Sequence, residues 1–231
     1  NVASSLHYLR RHSYYGAGYD PHAYGDTGNP LWVSDLQLGH QQGRHTLLAG
    51  YQFQRERVRD HMPAYARAFD NTFLSSGIYV QDEWSPAAGL TLVGGLRADK
   101  SSTLGHWVFS PRGNVRYALD EHWNVRLGIS TGFRAPVIFD EDLHVTAVGG
   151  QGFLLQNAPG LREERSRSYN ASLDYLGELA GRPFQAGLSF FWTSLSDVHV
   201  LRETLLDSDY RLFERVNGAG SRVRGAEIDW A

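Results

Sequence analysis

The chain contains no cysteine. A disulfide framework and a thiolate metal site are therefore both excluded. It also has no excess of basic residues. Its formal net charge is -3, which implies no cationic face for a nucleic-acid backbone. The opening residues Asn1-Val2-Ala3-Ser4-Ser5 lack the basic start and apolar block of a secretory signal. No apolar run approaches the roughly 18 residues that a membrane-crossing helix needs. That last absence leaves the membrane open. A barrel strand needs only about 9–11 residues, and only alternate ones must be apolar.

What the chain does have is aromatic side chains, 13% of its residues, and period-two alternation along most of its length. Trp123, Val125, Leu127 and Ile129 alternate with Asn124, Arg126, Gly128 and Ser130. Tyr169, Ala171, Leu173 and Tyr175 alternate with Asn170, Ser172 and Asp174. Phe184, Ala186, Leu188, Phe190 and Trp192 form another apolar row, and Ala226, Ile228 and Trp230 a further one opposite Glu227 and Asp229. Over residues 72–84 the faces cannot be assigned. About eleven strands are predicted, near 2–10, 31–40, 45–56, 72–84, 89–100, 107–118, 122–132, 165–177, 183–197, 210–217 and 221–231, with boundaries good to about 2–4 residues.

The connections alternate in length. Short ones fall at 41–44, 85–88, 119–121, 177–182 and 218–220. Mostly longer ones fall at 11–30, 57–71, 101–106, 133–164 and 198–209. Every second turn then lies on one side of the sheet, as in outer-membrane barrels with short periplasmic turns and long extracellular loops. A soluble sandwich has no reason to segregate loop length in this way. The faces agree. Apolar rows are edged by Tyr117, Trp123, Tyr175, Trp192 and Trp230, residue types that favour the membrane–water interface. The opposite rows hold Arg97, Asp99, Arg112, Asn114, Arg116, Arg126 and Asp174. So many charges cannot sit unpaired in a dry core, but they can line a wet lumen. The expected fold is all-β, an antiparallel transmembrane β-barrel. An odd strand count is the wrong parity for a closed bacterial barrel, so residues 1–231 are expected to form a partial barrel domain.

Ser110-Pro111-Arg112-Gly113-Asn114-Val115-Arg116-Tyr117 is followed by the turn Asp120-Glu121-His122-Trp123 and the junction Gly132-Phe133-Arg134-Ala135-Pro136. Further on come Glu163-Glu164-Arg165-Ser166, Val216-Asn217-Gly218 and Arg224-Gly225-Ala226-Glu227. Upstream lie Tyr79-Val80-Gln81-Asp82-Glu83-Trp84 and Gly95-Leu96-Arg97-Ala98-Asp99. In order and spacing these segments resemble the barrel of TonB-dependent receptors over about residues 72–231. The resemblance implies a barrel of about 22 strands, of which this chain would be about half. It also implies a plug domain and a TonB box outside this chain, and the TonB–ExbB–ExbD complex as energy-coupling partner. It implies uptake across the outer membrane of a ferric siderophore, haem, cobalamin or a similar scarce nutrient, with no enzyme activity and no cofactor. A passive porin-like channel and a soluble β-rich binding or adhesion protein are the rivals.

Candidate ligand residues lie in the longest predicted loop. Asp140, Asp142 and His144 offer oxygen and nitrogen donors, and Phe153 offers an apolar contact. The plain alternative is a solvated acidic loop. Six loop histidines, His12, His22, His61, His106, His144 and His199, are a compositional hint of metal or haem capture, without ligand spacing to support a metal site. Arg97, Arg112, Arg116 and Arg126 are expected on a lumen-facing polar wall, guiding an anion or, more simply, pairing with carboxylates of the wall or plug. Gly128-Ile129-Ser130-Thr131-Gly132 matches a nucleophile-elbow pattern but sits in an alternating strand, where that motif has no meaning. Gly149-Gly150-Gln151-Gly152 lacks the Lys-Ser/Thr of a phosphate loop. Pro111, inside a predicted strand, demands a bulge or a break in pairing.

Overall fold

The computed structural model describes residues 1–14, 24–63, 67–137, 152–206 and 210–231. Ten strands form one antiparallel meander. They are β1 (Val2–Tyr14), β2 (Tyr24–Gln42), β3 (His45–Met62), β4 (Arg67–Ala87), β5 (Leu90–Ser101), β6 (Trp107–Ala118), β7 (Trp123–Arg134), β9 (Glu164–Leu179), β10 (Arg182–Ser196) and β13 (Ser221–Trp230). A second sheet holds β8 (Gly152–Asn157), β11 (His199–Leu206) and β12 (Tyr210–Asn217) in the order β11-β12-β8. The large sheet is open, with β1 and β13 as its edges.

Two sequence expectations need correction. The segment near 210–217 is a strand but not a wall strand. As β12 it pairs antiparallel with β11 and parallel with β8. The wall therefore holds ten strands, not eleven, and residues 218–220 return the chain to the wall rather than turning between wall strands. β10 pairs directly with β13, so everything between them is one long excursion. The strands also run further than apolar alternation shows. β2 begins at Tyr24, β3 runs to Met62 and β4 starts at Arg67. Their added residues are polar on both faces, Arg57, Arg59 and Asp70 on one and Asp60 and Asn71 on the other, yet they stay in the ladder. Beyond the bilayer a strand needs its hydrogen bonds but not an apolar face.

The register fixes the faces. Cα partners run Leu92–Val115–Leu127–Ala171–Phe190–Ala226 across β5 to β13. One step along the strands, Thr91–Arg116–Arg126–Ser172–Ser189–Glu227 runs across the opposite face. Residues directly opposite on neighbouring strands share a face, so one face is apolar and the other polar. In β4 the apolar face carries Leu74, Ile78, Val80 and Trp84, but also Ser76 and Asp82, which is why its alternation is blurred in the sequence. Aromatics cluster at one end of the apolar face, where the Trp123 and Tyr175 rings lie 4.9 Å apart. Few side chains are fully buried. Among the described residues Met62, Val108 and Val58, the last packed on Phe69 and Phe73, are the exceptions.

The short turns answer to local chemistry. Ala180 and Gly181, between β9 and β10, have φ of 53° and 72°, the left-handed pair of a two-residue turn whose twist matches the strands it joins. Asp120 caps the β6–β7 turn by accepting the His122 and Trp123 backbone N–H groups, both at 2.8 Å. Pro111 pairs with Leu96 on β5, but the β6–β7 ladder ends one residue before it, at Arg112–Ser130. Pro111, with no N–H to give, thus stands where pairing to β7 stops, and Thr131 Oγ1 donates to its carbonyl at 3.0 Å.

Candidate functional site

Polar side chains concentrate in two places, the polar face of the wall and the rim where the long connections leave it. All the arginines expected on the wall lie on its polar face, and each has a partner there. Arg97 Nε donates to both Asp99 oxygens at 2.9 Å, while its Nη2 donates to Gln52 at 2.9 Å. The guanidinium stands 5.7 Å from the centre of the Tyr79 ring, and Tyr79 donates to Asp35 at 3.3 Å. Asp99 is 4% exposed, so Arg97 supplies the compensating charge that a buried carboxylate requires. Arg112 donates to Gln81. Arg116 donates to Asn124 at 3.1 Å, and Arg126 lies 3.5 Å from Asp174. Asp35, Gln52, Tyr79, Gln81, Arg97 and Arg112 line a concavity of about 460 Å³.

The small residues of this face make room for the large ones. A Cβ at Gly50 would strike the Tyr79 ring and come within 2.8 Å of the Leu36 carbonyl. One at Gly128 would collide with the carboxamide oxygens of Asn170 and Asn114.

The rim is more tightly bonded. Asp197, at φ 56°, is the corner where the chain leaves β10 for β11. Arg162 holds its carboxylate at 2.5 Å, and Asn217 donates to its carbonyl at 2.9 Å. Arg162 N–H donates to Asn217 Oδ1 at 2.9 Å. The buried His199 ring donates through Nε2 to the Arg162 carbonyl at 2.8 Å, while its backbone N–H donates to Glu164 at 2.5 Å. On the other side of the excursion, Arg215 donates to the Val137 carbonyl at 2.6 Å and Asn157 to the Pro136 carbonyl at 3.0 Å. Glu163, in the connection before β9, is 4% exposed. It accepts from Arg165 at 2.5 Å and faces His106 at 3.2 Å. Burial pushes this carboxyl up, but its own backbone N–H, Arg165 and His106 outweigh that, and it is held below the usual carboxylate range. The result is a hydrogen-bonded frame that ties Pro136 and Val137 to Asn157 and Arg215.

Asp140, Asp142 and His144 lie outside the described residues. Phe153 lies in β8, opposite Arg211 of β12. Of the histidines, His12 faces Asp26 at 2.9 Å, His61 pairs in β3, and His106 and His199 serve the rim. His22 and His144 lie outside the described residues. Among the described residues no three metal-binding side chains converge. The rim cluster was missed by sequence reasoning. Glu163-Glu164-Arg165 and Val216-Asn217-Gly218 were visible as motifs, but nothing in their order shows that they meet through Arg162.

The family model described as "TonB dependent receptor-like, beta-barrel" matches residues 1–231. The chain belongs to the TonB-dependent receptor family. It is 31% identical over 158 residues to the iron-regulated outer membrane virulence protein of Vibrio cholerae, covering 67% of this chain and 23% of that protein. The chain thus spans about a quarter of the length of this relative. Among solved structures, the FrpB iron transporter of Neisseria meningitidis (F5-1 variant) superposes with a TM-score of 0.76 at 18% identity, over 99% of this chain and 38% of that one. The siderophore receptor PirA of Pseudomonas aeruginosa gives 0.70 at 22% identity, over 89% and 39%. At such identities the structures speak for the fold alone. This receptor segment is part of a β-barrel of the outer membrane, its apolar face turned to lipid. The short turns stand on the periplasmic side and the rim outside the cell.

Proposed function

We propose that the parent protein captures a scarce nutrient, an iron chelate in the first place, and imports it with energy delivered through TonB, ExbB and ExbD. Family membership supports the reading, as does the 31% identity to an iron-regulated relative. The observation that carries it is the hydrogen-bonded rim. A passive channel needs only an open mouth, whereas this excursion is braced at Pro136, Val137, Asn157 and Arg215, as a loop that must present ligand groups in fixed positions would be. The polar face, with Arg97, Arg112, Arg116 and Arg126, lines the lumen and meets a plug carried elsewhere in the parent chain. Asp140, Asp142, His144 and Phe153 contribute to an extracellular ligand site. Haem and cobalamin are the alternative cargoes.

The full-length receptor should take up a radiolabelled ferric siderophore only in cells with a working TonB. Uptake that persists unchanged without TonB means a passive channel and overturns the proposal. Residues 139–150 can be replaced by a short Gly/Ser link that leaves β8 and its braces in place. The variant should still shift in gel mobility on boiling, while high-affinity binding is lost. Unchanged affinity would remove Asp140, Asp142 and His144 from the site.

A further inference from the structure

The rim contains a chemically labile step. Asn217-Gly218 is the single Asn-Gly pair in the chain. Asparagine is thermolabile, because the backbone nitrogen of the next residue can attack its carboxamide carbon. A following glycine, with no Cβ, hinders that approach least. The pair sits at the end of β12, where the chain turns back toward the wall. Packing demands the glycine. A Cβ on Gly218 would lie 2.9 Å from both γ carbons of Val200 and 3.3 Å from the Val198 carbonyl oxygen, and a β-branched side chain has few rotamers with which to give way.

The closed rim holds both reacting groups apart. The Asn217 carboxamide pairs with the Arg162 backbone as a neighbouring strand would. Its Oδ1 accepts the Arg162 N–H at 2.9 Å, and its Nδ2 donates to the Arg162 carbonyl at 3.0 Å. The same Nδ2 donates to the Asp197 carbonyl at 2.9 Å. Both amide protons and the amide oxygen are thus engaged. The Gly218 N–H, the attacking group, donates to the Val198 carbonyl at 2.7 Å. Asp197 is itself fixed, with the Arg162 guanidinium on its carboxylate at 2.5 Å. While these bonds stand, the carboxamide cannot swing onto the Gly218 nitrogen.

Aspartate cannot do the work of asparagine in this corner. A carboxylate offers acceptors only, so the donations to the Arg162 and Asp197 carbonyls are lost and its oxygens face other oxygens. Isoaspartate changes more. Its chain runs through the side-chain carbon, which adds a backbone atom directly after the His199–Asn217 pair of β11 and β12.

We propose that Asn217-Gly218 is a deamidation site gated by the rim, shielded while the corner is closed and converted when it opens. The Gly218 nitrogen attacks Asn217 Cγ and forms the new N–C bond. The carboxamide nitrogen leaves as ammonia, taking the Gly218 proton, and a succinimide ring remains. Water then opens the ring at either carbonyl and gives aspartate or isoaspartate. The reaction consumes only water. Neither product has the donors that close the corner, so a sustained opening is written into the covalent chain and is not undone. The site stands whether or not the cargo is an iron chelate.

The test incubates the full-length receptor in detergent at mildly alkaline pH and follows deamidation by peptide mapping with isoaspartate-specific methyl labelling. Unfolded in guanidinium, the receptor should convert Asn217 faster than any other asparagine of residues 1–231. The folded wild type should convert it about a hundredfold more slowly, because three carboxamide hydrogen bonds must open first. Arg162→Ala, which frees the Asp197 carboxylate, should raise the folded rate about fivefold. If that variant does not fold, the wild type in guanidinium below the barrel transition replaces it, and its rate should rise before the gel shift on boiling is lost. Asn217→Asp should keep the gel shift but be cut by protease within residues 197–220 faster than the wild type. The deamidated fraction of aged wild type gives the same reading without a substitution. Conversion of the folded wild type at the unfolded rate overturns the proposal, and so does an Asn217 that survives unfolding intact. A loosened corner with an unchanged rate overturns the gating. An aspartate form as protease-resistant as the wild type also overturns the proposal, because the corner would then not depend on the carboxamide.

Discussion

Leu127 lies midway along the lipid-turned run of β7, four residues from Trp123 and four from Thr131. Its neighbours across the strands are Val115 and Ala171, and it is 50% exposed on a surface that lipid covers. An arginine introduced there meets hydrocarbon on every side, and neither neighbour offers a counter-charge. Near the bilayer midplane such a change costs about 2–4 kcal/mol. Leu179→Arg is the control. Leu179 lies four residues beyond Tyr175, at the periplasmic end of β9, where the same charge costs about 0–1 kcal/mol. Arg126→Leu tests the other face. It removes a pair that is 3.5 Å long and more than a third exposed, worth about 0–1 kcal/mol once solvent screening is allowed for. Urea titration of the full-length receptor folded into lipid vesicles measures all three. Equal costs at positions 127 and 179, or a larger cost at 126 than at 127, would show that the faces are reversed, because a slip of one residue exchanges them.

Gly128→Val should cost about 1–3 kcal/mol by forcing the Asn114 and Asn170 side chains apart, whereas Gly94→Ala, where a Cβ meets nothing within 4 Å, should be nearly silent in the same titration. Arg97→Ala leaves the buried Asp99 carboxylate without its charge partner. The cost should be about 1–3 kcal/mol, less than for a fully buried pair because Arg97 is 33% exposed. The Glu163 carboxyl is held below its ordinary value in the folded rim. Its contribution is therefore full above the usual carboxylate range and fades as pH falls through the lowered value. Protease cleavage around residues 152–164 should rise in that acid window for the wild type, and Glu163→Gln should flatten the dependence.

The wall was legible because a bilayer imposes a strict rule on one face of every strand. Trp123 to Ile129 and Tyr169 to Tyr175 follow it without exception, and the register pairs them as their alternation requires. Where lipid ends, the rule ends too. The outer halves of β2, β3 and β4 carry charged residues on both faces, so they read as loop although their backbones stay paired. The small sheet was hidden for another reason. β12 alternates as well as a wall strand does, and only its partners reveal its place. The parallel β8–β12 pair joins residues far apart in the chain, with Gln156 donating to Glu214 at 3.0 Å, and such pairing leaves no local mark. Alternation puts the wall arginines on one face of the sheet, but the identity of each partner, Asp99, Gln81, Asn124 or Asp174, depends on rotamers that spacing does not determine.

The two sheets also differ in what they demand of an assembling chain. In the wall, apart from the detours of β8 and of β11–β12, each strand finds its partner in the next one along, often across a two- to four-residue turn. Loop closure is then cheap, and each hairpin can be added to the one before. The rim has no such order. Gly152–Asn157 has no partner until Tyr210–Asn217 is in place, and that segment is anchored through Asn217 to the Asp197 corner that follows β10. A chain that stalls after β10 would carry a sound wall and an unbraced mouth. The rim is thus among the last parts of the chain to take shape.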